Sequence, residues 1–268
     1  MKKYKYVFVV LVYKNIEVLK DFFYSLHLSD HKIVVVNSYY DDESLKECQE
    51  TALANNADFI PVENKGFGYG NNVGTKFALE HYNFDFLVLS NSDIHIHEFC
   101  YLDELKDFTG VIAPKIQIIS GKMQNPNIPW KISVIYPILY YAYNHNKKWL
   151  EIVSHIITRV SRELFLIYSK VRKKNLYKVF CCHGSFIIFS CDTAKKLYPF
   201  FDERMFLYNE ESYLAFRCEA KDVGVYYCPR IKIEHLEGAS SNQASQILFE
   251  NNRKSYNVLY EHIRNGFK

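Results

Sequence analysis

The chain has 268 residues, of which 49% are hydrophobic and 24% charged, the balance of an ordinary soluble globular protein sized for one α/β domain or a domain with a subdomain. No segment reaches the roughly 18–20 apolar residues needed to cross a bilayer; the longest apolar stretch, Ile132–Tyr143, is broken by Pro137. Seven cysteines (48, 100, 181, 182, 191, 218 and 228) form no CxxC pair, which predicts reduced thiols in a cytoplasmic protein, soluble or resting on a membrane surface. The 22 tyrosines and 20 phenylalanines suit sugar stacking or a membrane interface, but the base rate assigns most of them to the core.

The N-terminal lysines and valine-rich run superficially resemble a signal peptide. The run is short and no small-residue cleavage site follows, so Tyr6–Val12 is expected to be a first buried strand. A helix is predicted over Ile16–Leu26 from apolar residues at 16, 19, 22, 23 and 26. Strand Ile33–Val36, helix Ser44–Asn55, strand Phe59–Val62, helix Asn72–His81 and strand Phe86–Leu89 follow. This βαβα order, with runs apolar on both faces, predicts an α/β fold around a mostly parallel central sheet flanked by helices.

The second half differs in charge. Residues 121–180 carry 11 Lys or Arg against Glu151 and Glu163, a local charge of 11 − 2 = +9 in a chain whose total is +3. A basic helical insertion is expected there, with Leu150–Val171 as its main helix. Its charge reads either as a solvated face or as a patch for anionic lipid head groups or a lipid-diphosphate acceptor. No nucleic-acid motif accompanies it, so nucleic acid is not an expected partner. Phe186–Phe189 is a further predicted strand, followed by an acidic turn and helix over Phe201–Arg217, short strands at Val225–Tyr227 and Ile231–Ile233, and a terminal helix from Gln243. The expected organisation is a nucleotide-binding half (1–120), the insertion (121–180), an acceptor and catalytic half of the same domain (181–242) and the terminal helix (243–268).

Four clusters carry candidate chemistry. Asn64–Gly74 is a glycine- and asparagine-rich loop; it fails the dinucleotide G-x-G-x-x-G test and holds no Walker lysine. Its amides and the following helix N-terminus are expected to meet phosphate or ribose oxygens, with Asn64, Gly66 and Asn72 as donor contacts. Asn91-Ser92-Asp93 ends a buried strand in polar groups, where a carboxylate can hold Mg2+ or Mn2+. His95 and His97 alternate on one strand face and read as structural. Glu210 and Glu211 open a helix after an aromatic run and suit a general base. His235 stands alone between strand and loop.

In this order the pieces resemble the inverting family 2 glycosyltransferases with the GT-A fold, especially the rhamnosyltransferase-like enzymes of bacterial surface polysaccharide synthesis. The likeness rests on Tyr13 and Asn15 after the first strand, on Asn64–Gly74 against N-x-G-F-x-x-G-N-N-x-G, and on Leu89–Asp93 against L-x-N-x-D. It continues through His183–Phe186, through Phe201–Glu211 against F-D-E-x-F-F-L-Y-x-E-D, and through His235–Ser240 against H-x-x-G-x-S. The resemblance implies a nucleotide-sugar donor (dTDP-rhamnose or a UDP-hexose) contacted by Tyr13, Asn37, Asn64, Gly66, Asn72, Asn91 and Ser92. It implies a cation held by Asp93 and His235, and Glu211, or in its place Glu210, as the base. The implied acceptor is a glycan or a polyprenyl-diphosphate-linked sugar, reached at the inner face of the cell membrane. The chain departs from the family pattern at Asn37, where an Asp reads the base, at Glu211, an Asp elsewhere, and at Ser212-Tyr213, where a second acidic residue often stands, while Asn91 holds the place of the first Asp of the metal motif. The competing readings are a nucleotidyltransferase and a non-catalytic glycan- or lipid-binding module on the same fold.

Overall fold

The computed structural model describes residues 2–99, 102, 104–105, 107–236 and 245–267. Elements of the first half alternate: β1 (Lys2–Val12), α1 (Ile16–Ser25), β2 (His31–Tyr39), α2 (Asp42–Ala54), β3 (Asp58–Glu63), α3 (Phe67–His81) and β4 (Tyr82–Asn91). Then come β5 (Ile94–Glu98), β6 (Val111–Ile118), α4 (Ile135–Asn144), α5 (Lys148–Arg172), β7 (Tyr177–Val179) and β8 (Phe186–Ser190). The chain closes with α6 (Cys191–Leu197), α7 (Glu210–Ala220), β9 (Val225–His235) and α8 (Ser245–Asn265).

One sheet runs in the order β3-β2-β1-β4-β8-β6-β9-β5, with β7 also on β9. The first four strands pair in parallel. Antiparallel β8 then joins β4 to β6, and β9 lies parallel to β6, so the sheet is mixed. Side chains of β1 alternate between two cores. Phe8 and Val10 face α1 and α2, while Val7 and Val9 face α3, and all four are fully buried. A strand buried on both faces must be apolar at every position, which is why these runs are continuous and valine-rich. A third core of Tyr136, Tyr143, Tyr213, Phe216 and Tyr256 joins α4, α7 and α8. Many of the aromatics are therefore structural.

Two expectations are corrected here, and one strand is added. The glycine-rich segment is not a loop, because α3 begins at Phe67 and takes Gly68, Gly70, Asn71 and Asn72 into its first turns. Glycine is a poor helix former, but a Cβ on Gly74 would come within 2.4 Å of Val9 and 2.6 Å of Val36. Close approach of helix to sheet therefore outweighs propensity. The two short strands expected at 225–233 are one strand, β9, whose register against β6 shifts between Pro114 and Lys115. Strand β6, which carries much of the second half of the sheet, was not anticipated from the sequence pattern.

Helix α8 is tied to the segment before α7 by ions. Arg204 forks Asp202 (Nη2–Oδ2 2.7 Å) and reaches Glu261 (3.2 Å), and His262 Nε2 lies 2.8 Å from Asp202 Oδ2. Burial alone would raise the Asp202 pKa, but Arg204 and His262 outweigh it and hold the carboxyl at about 2, against 3.8 ordinarily. A pKa depressed on folding stabilises the protein above the ordinary value, and that contribution is lost as pH falls toward 2. Asp202→Asn is expected to cost about 2 kcal/mol at pH 7, with the difference from wild type closing below pH 4 in urea unfolding.

Candidate active site

The register of the parallel strands sets Leu11 opposite Asn91 and Val12 opposite Asn37, so β1, β2 and β4 turn polar at one level. That level is the carboxyl edge of the sheet, and the chain order reverses between β1 and β4. Such a switch point opens a crevice where α/β folds bind ligands. A cleft lies there. Its walls come from Leu11 and Tyr13 after β1, Ser38 of β2, Asn64, Gly66 and Phe67 before and in α3, Asn91, Ser92 and Asp93 after β4, and Phe206 and Leu207. Six of the expected site residues (Tyr13, Asn64, Gly66, Asn91, Ser92 and Asp93) therefore share one cavity.

Two of the expected donor contacts lie elsewhere. The Asn72 amide nitrogen donates to Phe201 O (2.9 Å) and Glu203 Oε1 (3.2 Å), and its oxygen accepts from the Phe200 and Phe201 amides. With its side chain committed inside the fold, Asn72 clamps α3 to the 200–203 segment rather than facing a ligand. Asn37 is buried and hydrogen-bonds the Cys48 side chain; its neighbour Ser38 takes the place in the cleft wall. Strand alternation sends adjacent side chains to opposite faces, a choice that the motif alone does not make.

Gly66 is held by geometry. Its φ is +109°, and a Cβ there would stand 2.3 Å from Phe206 O, because the Phe67 amide donates to that same carbonyl at 2.9 Å. Gly66→Ala is expected to destabilise the protein by about 1–3 kcal/mol, read as a lowered thermal midpoint. Asn64 Oδ1 accepts from the Gly66 amide at 3.3 Å and shapes the same turn. On the opposite wall, Tyr13 stands near Tyr40, with the Lys14 ammonium 5.1 Å and 5.4 Å from the two ring centroids.

Asp93 sits in the turn between β4 and β5, and antiparallel pairing sets Ile94 opposite His235 of β9. The Leu236 amide donates to Asp93 O at 2.9 Å, and His235 Nε2 lies 3.2 Å from Asp93 Oδ1. His235 Nδ1 is 2.9 Å from Gln124 Oε1, and since an amide oxygen only accepts, Nδ1 carries the proton. Nε2 then faces a carboxylate oxygen, and two lone pairs at that distance repel unless a proton or a metal ion lies between them. The donor set fits a divalent cation. The carboxylate suits Mg2+ or Mn2+, the imidazole is oriented by an outer amide as metal-ligating histidines commonly are, and further positions remain for ligand oxygens. Among the described residues no group of three His, Cys, Asp or Glu side chains converges on such a site. Glu237–Ser240, the rest of the His235 motif, lie outside the described residues.

Beside this pair stands His183, its ring centroid 5.9 Å from that of His235. Burial, then His235 and Arg162, push its pKa down to about 3, so it is neutral. The Ser185 amide donates to Nδ1 at 3.2 Å, which leaves the proton on Nε2. Asn125 fixes the segment by accepting from the His183 amide at 2.7 Å while donating to Pro114 O.

The Gly184 amide donates to Glu211 Oε1 at 3.2 Å, and Ser185 O accepts from the Asn91 amide at 2.9 Å. Residues 183–185 thus bridge the α7 carboxylate to the Asn91–Asp93 turn. Burial raises the Glu211 pKa, opposed by its backbone hydrogen bonds, one of them from Gly184. Glu210 is buried, one of its oxygens has no hydrogen-bond partner, and burial and then Glu211 raise its pKa well above the ordinary value. Tyr208 and Asn209, immediately before, have φ of 75° and 69°, a left-handed pair that turns the chain into α7. Asn252 accepts from the Asn209 amide side chain, and Ser255 donates to Leu207 O, so α8 braces the turn. Gln124 and Asn125 reach the site without any sequence signal; their roles come from long-range packing.

The chain matches no protein-family model and no curated protein. Among solved structures it is similar to GalNAc-T7 with UDP, GalNAc and Mn2+, at a TM-score of 0.65 and 12% identity over 96% of this chain and 48% of that one. It is also similar to S. aureus TarS 1–349 in complex with UDP-GlcNAc, at 0.56 and 13% identity over 98% and 68%. The chain spans about half the length of the GalNAc-T7 chain. At these identities the likeness establishes the fold, which is that of the GT-A glycosyltransferases.

Proposed function

We propose that the protein is an inverting glycosyltransferase that moves a hexosyl or deoxyhexosyl group from a nucleotide-diphosphate sugar to a hydroxyl. The observation that carries the reading is the link, through residues 183–185 beside the switch-point cleft, between the Asp93–His235 pair and the half-buried carboxylate of Glu211. Tyr13, Asn64, Asn91 and Ser92 would line the donor. A Mg2+ or Mn2+ ion held by Asp93 and His235 would act as a Lewis acid on the diphosphate. Glu211 takes the proton from the acceptor hydroxyl as its oxygen attacks the anomeric carbon from the face opposite the diphosphate. The bond from that carbon to the phosphate oxygen breaks, its electron pair leaves with the diphosphate, and the configuration inverts. Neutral His183 offers an Nε2–H donor beside the developing charge without adding a titratable cation.

The donor we favour is a UDP-sugar, in line with the UDP and UDP-GlcNAc bound by the two similar structures; dTDP-rhamnose is the other candidate. The acceptor would be a glycan or a polyprenyl-diphosphate-linked sugar of surface polysaccharide synthesis, such as capsule or lipopolysaccharide, reached from the cytoplasm. The test is incubation with a panel of UDP-hexoses, UDP-N-acetylhexosamines and dTDP-rhamnose, with and without Mn2+. Cation-dependent release of nucleoside diphosphate from one donor is expected. Tight binding without turnover across the panel would make the protein a binding module, and pyrophosphate release from nucleotide triphosphates would make it a nucleotidyltransferase.

A further inference from the structure

Helix α5 presents an uncovered apolar face. Trp149, Ile152, Ile156, Val160, Ile167 and Val171 are between 51% and 73% exposed, and at about 100° per residue they fall within an arc of roughly 100°. The opposite face, with Ser154, Ser161, Phe165 and Leu166, is buried against the body. An apolar row this long on the outside of a globular protein marks a contact surface.

Charge identifies what covers it. Lys148, Arg159 and Lys170 are exposed and spaced eleven residues apart, about three turns each, so they form a row along one border of the apolar face. At the C-terminal end of the helix, Lys170, Lys173 and Lys174 line a groove together with Lys115 and Arg230. By the same count the exposed Glu163 falls inside the arc, between Ile152 and Ile156. A second copy of the chain docked on this face would bring two cation rows together, whereas an anionic lipid surface complements them. The helix has 25 residues, yet it is too polar to cross a membrane; among the described residues no helix qualifies to do so.

We infer that α5 lies in the plane of an anionic lipid bilayer, with its apolar row in the acyl boundary and its lysines and arginines at the phosphates. The inner side of the same helix bears the half-buried Arg162. On the glycosyltransferase reading proposed above, this orientation selects an acceptor carried on a lipid diphosphate.

The inference is tested by co-sedimentation of the full chain with vesicles of phosphatidylcholine alone and with phosphatidylglycerol added. Binding is expected to the anionic vesicles, to weaken with salt, and to shift the Trp149 emission to the blue. The double substitution Ile156→Glu with Ile167→Glu is expected to lower partitioning at least about tenfold with far-ultraviolet circular dichroism unchanged, because both side chains point to solvent. Lys170→Glu with Lys173→Glu should remove the preference for anionic lipid. Absence of partitioning, or partitioning that these substitutions do not alter, overturns the inference. Loss of a dimer on Ile156→Glu with Ile167→Glu, seen by sedimentation equilibrium, would give the face to a second copy instead. Asp93→Ala should bind vesicles as wild type does, and the α5 variant should hydrolyse a soluble donor as wild type does, so membrane docking and catalysis fail or stand separately.

Discussion

Glu211→Gln is expected to reduce glycosyl transfer by about 10²- to 10⁴-fold, the usual worth of a positioned general base, while donor affinity stays near that of wild type. The amide keeps the shape of the side chain and can still accept from the Gly184 amide, but it cannot take the acceptor's proton. Burial raises the Glu211 pKa, so the acid limb of the wild-type rate profile should lie above the ordinary Glu range of about 4.3. The sign for stability follows from the same shift. A carboxyl that holds its proton more tightly in the folded state than in the unfolded one makes folding less favourable once pH exceeds the folded value. Glu211→Gln removes that cost, and the inactive variant is expected to melt at a higher temperature than wild type near neutral pH. Steady-state kinetics with parallel melting curves separate this from loss of the fold. If donor affinity falls as much as turnover, the base is Glu210. Glu210→Gln is otherwise expected to retain transfer, because an orphaned and more deeply buried carboxyl is a weaker candidate for exchange with an acceptor.

Asp93→Ala is expected to abolish the cation dependence of donor binding, lowering affinity in Mn2+ by about 10- to 100-fold or more. In wild type, calorimetric titration of UDP should show much tighter binding with Mn2+ than with a chelator. The variant should show the same weak binding in both. Asp93 is placed by two restraints, the β5–β9 pairing that sets Ile94 against His235 and the Leu236 amide on its carbonyl. Losing the side chain should therefore leave the backbone in place. Cation-dependent binding that survives the substitution would remove Asp93 from this role. Gln124→Ala is a milder probe, since it leaves His235 in place but frees its ring to turn away from Asp93.

Much of the architecture was legible in advance. The valine runs of β1, β2 and β4 could only be strands buried on both faces, and the structure places their residues alternately in two cores. The apolar spacing of α1 matched its helix to within a residue. Helix propensity penalises glycine and so points to a loop over Asn64–Gly74, but the contacts with Val9 and Val36 that hold Phe67–Gly74 in α3 are far away in sequence. His95 and His97 do share the outward face of β5, with His97 3.3 Å from Glu234, in keeping with their structural reading.

By itself, the sequence determined the α/β class, the carboxylate at the end of β4 and the basic amphipathic character of residues 148–172. Each is a local property of hydrophobic period, strand length or charge, which a chain carries whatever surrounds it. Tertiary structure alone decided that Asn72 is a clamp and not a ligand contact, that Asn37 turns inward while Ser38 faces the cleft, and that Gln124 orients His235. It also decided that α5 leaves its apolar row uncovered while Phe165 on its other face packs against Tyr177 and Tyr227. These outcomes depend on which distant backbone or side chain meets each group, and two neighbouring polar side chains of one strand, such as Asn37 and Ser38, are sent to opposite sides of a sheet.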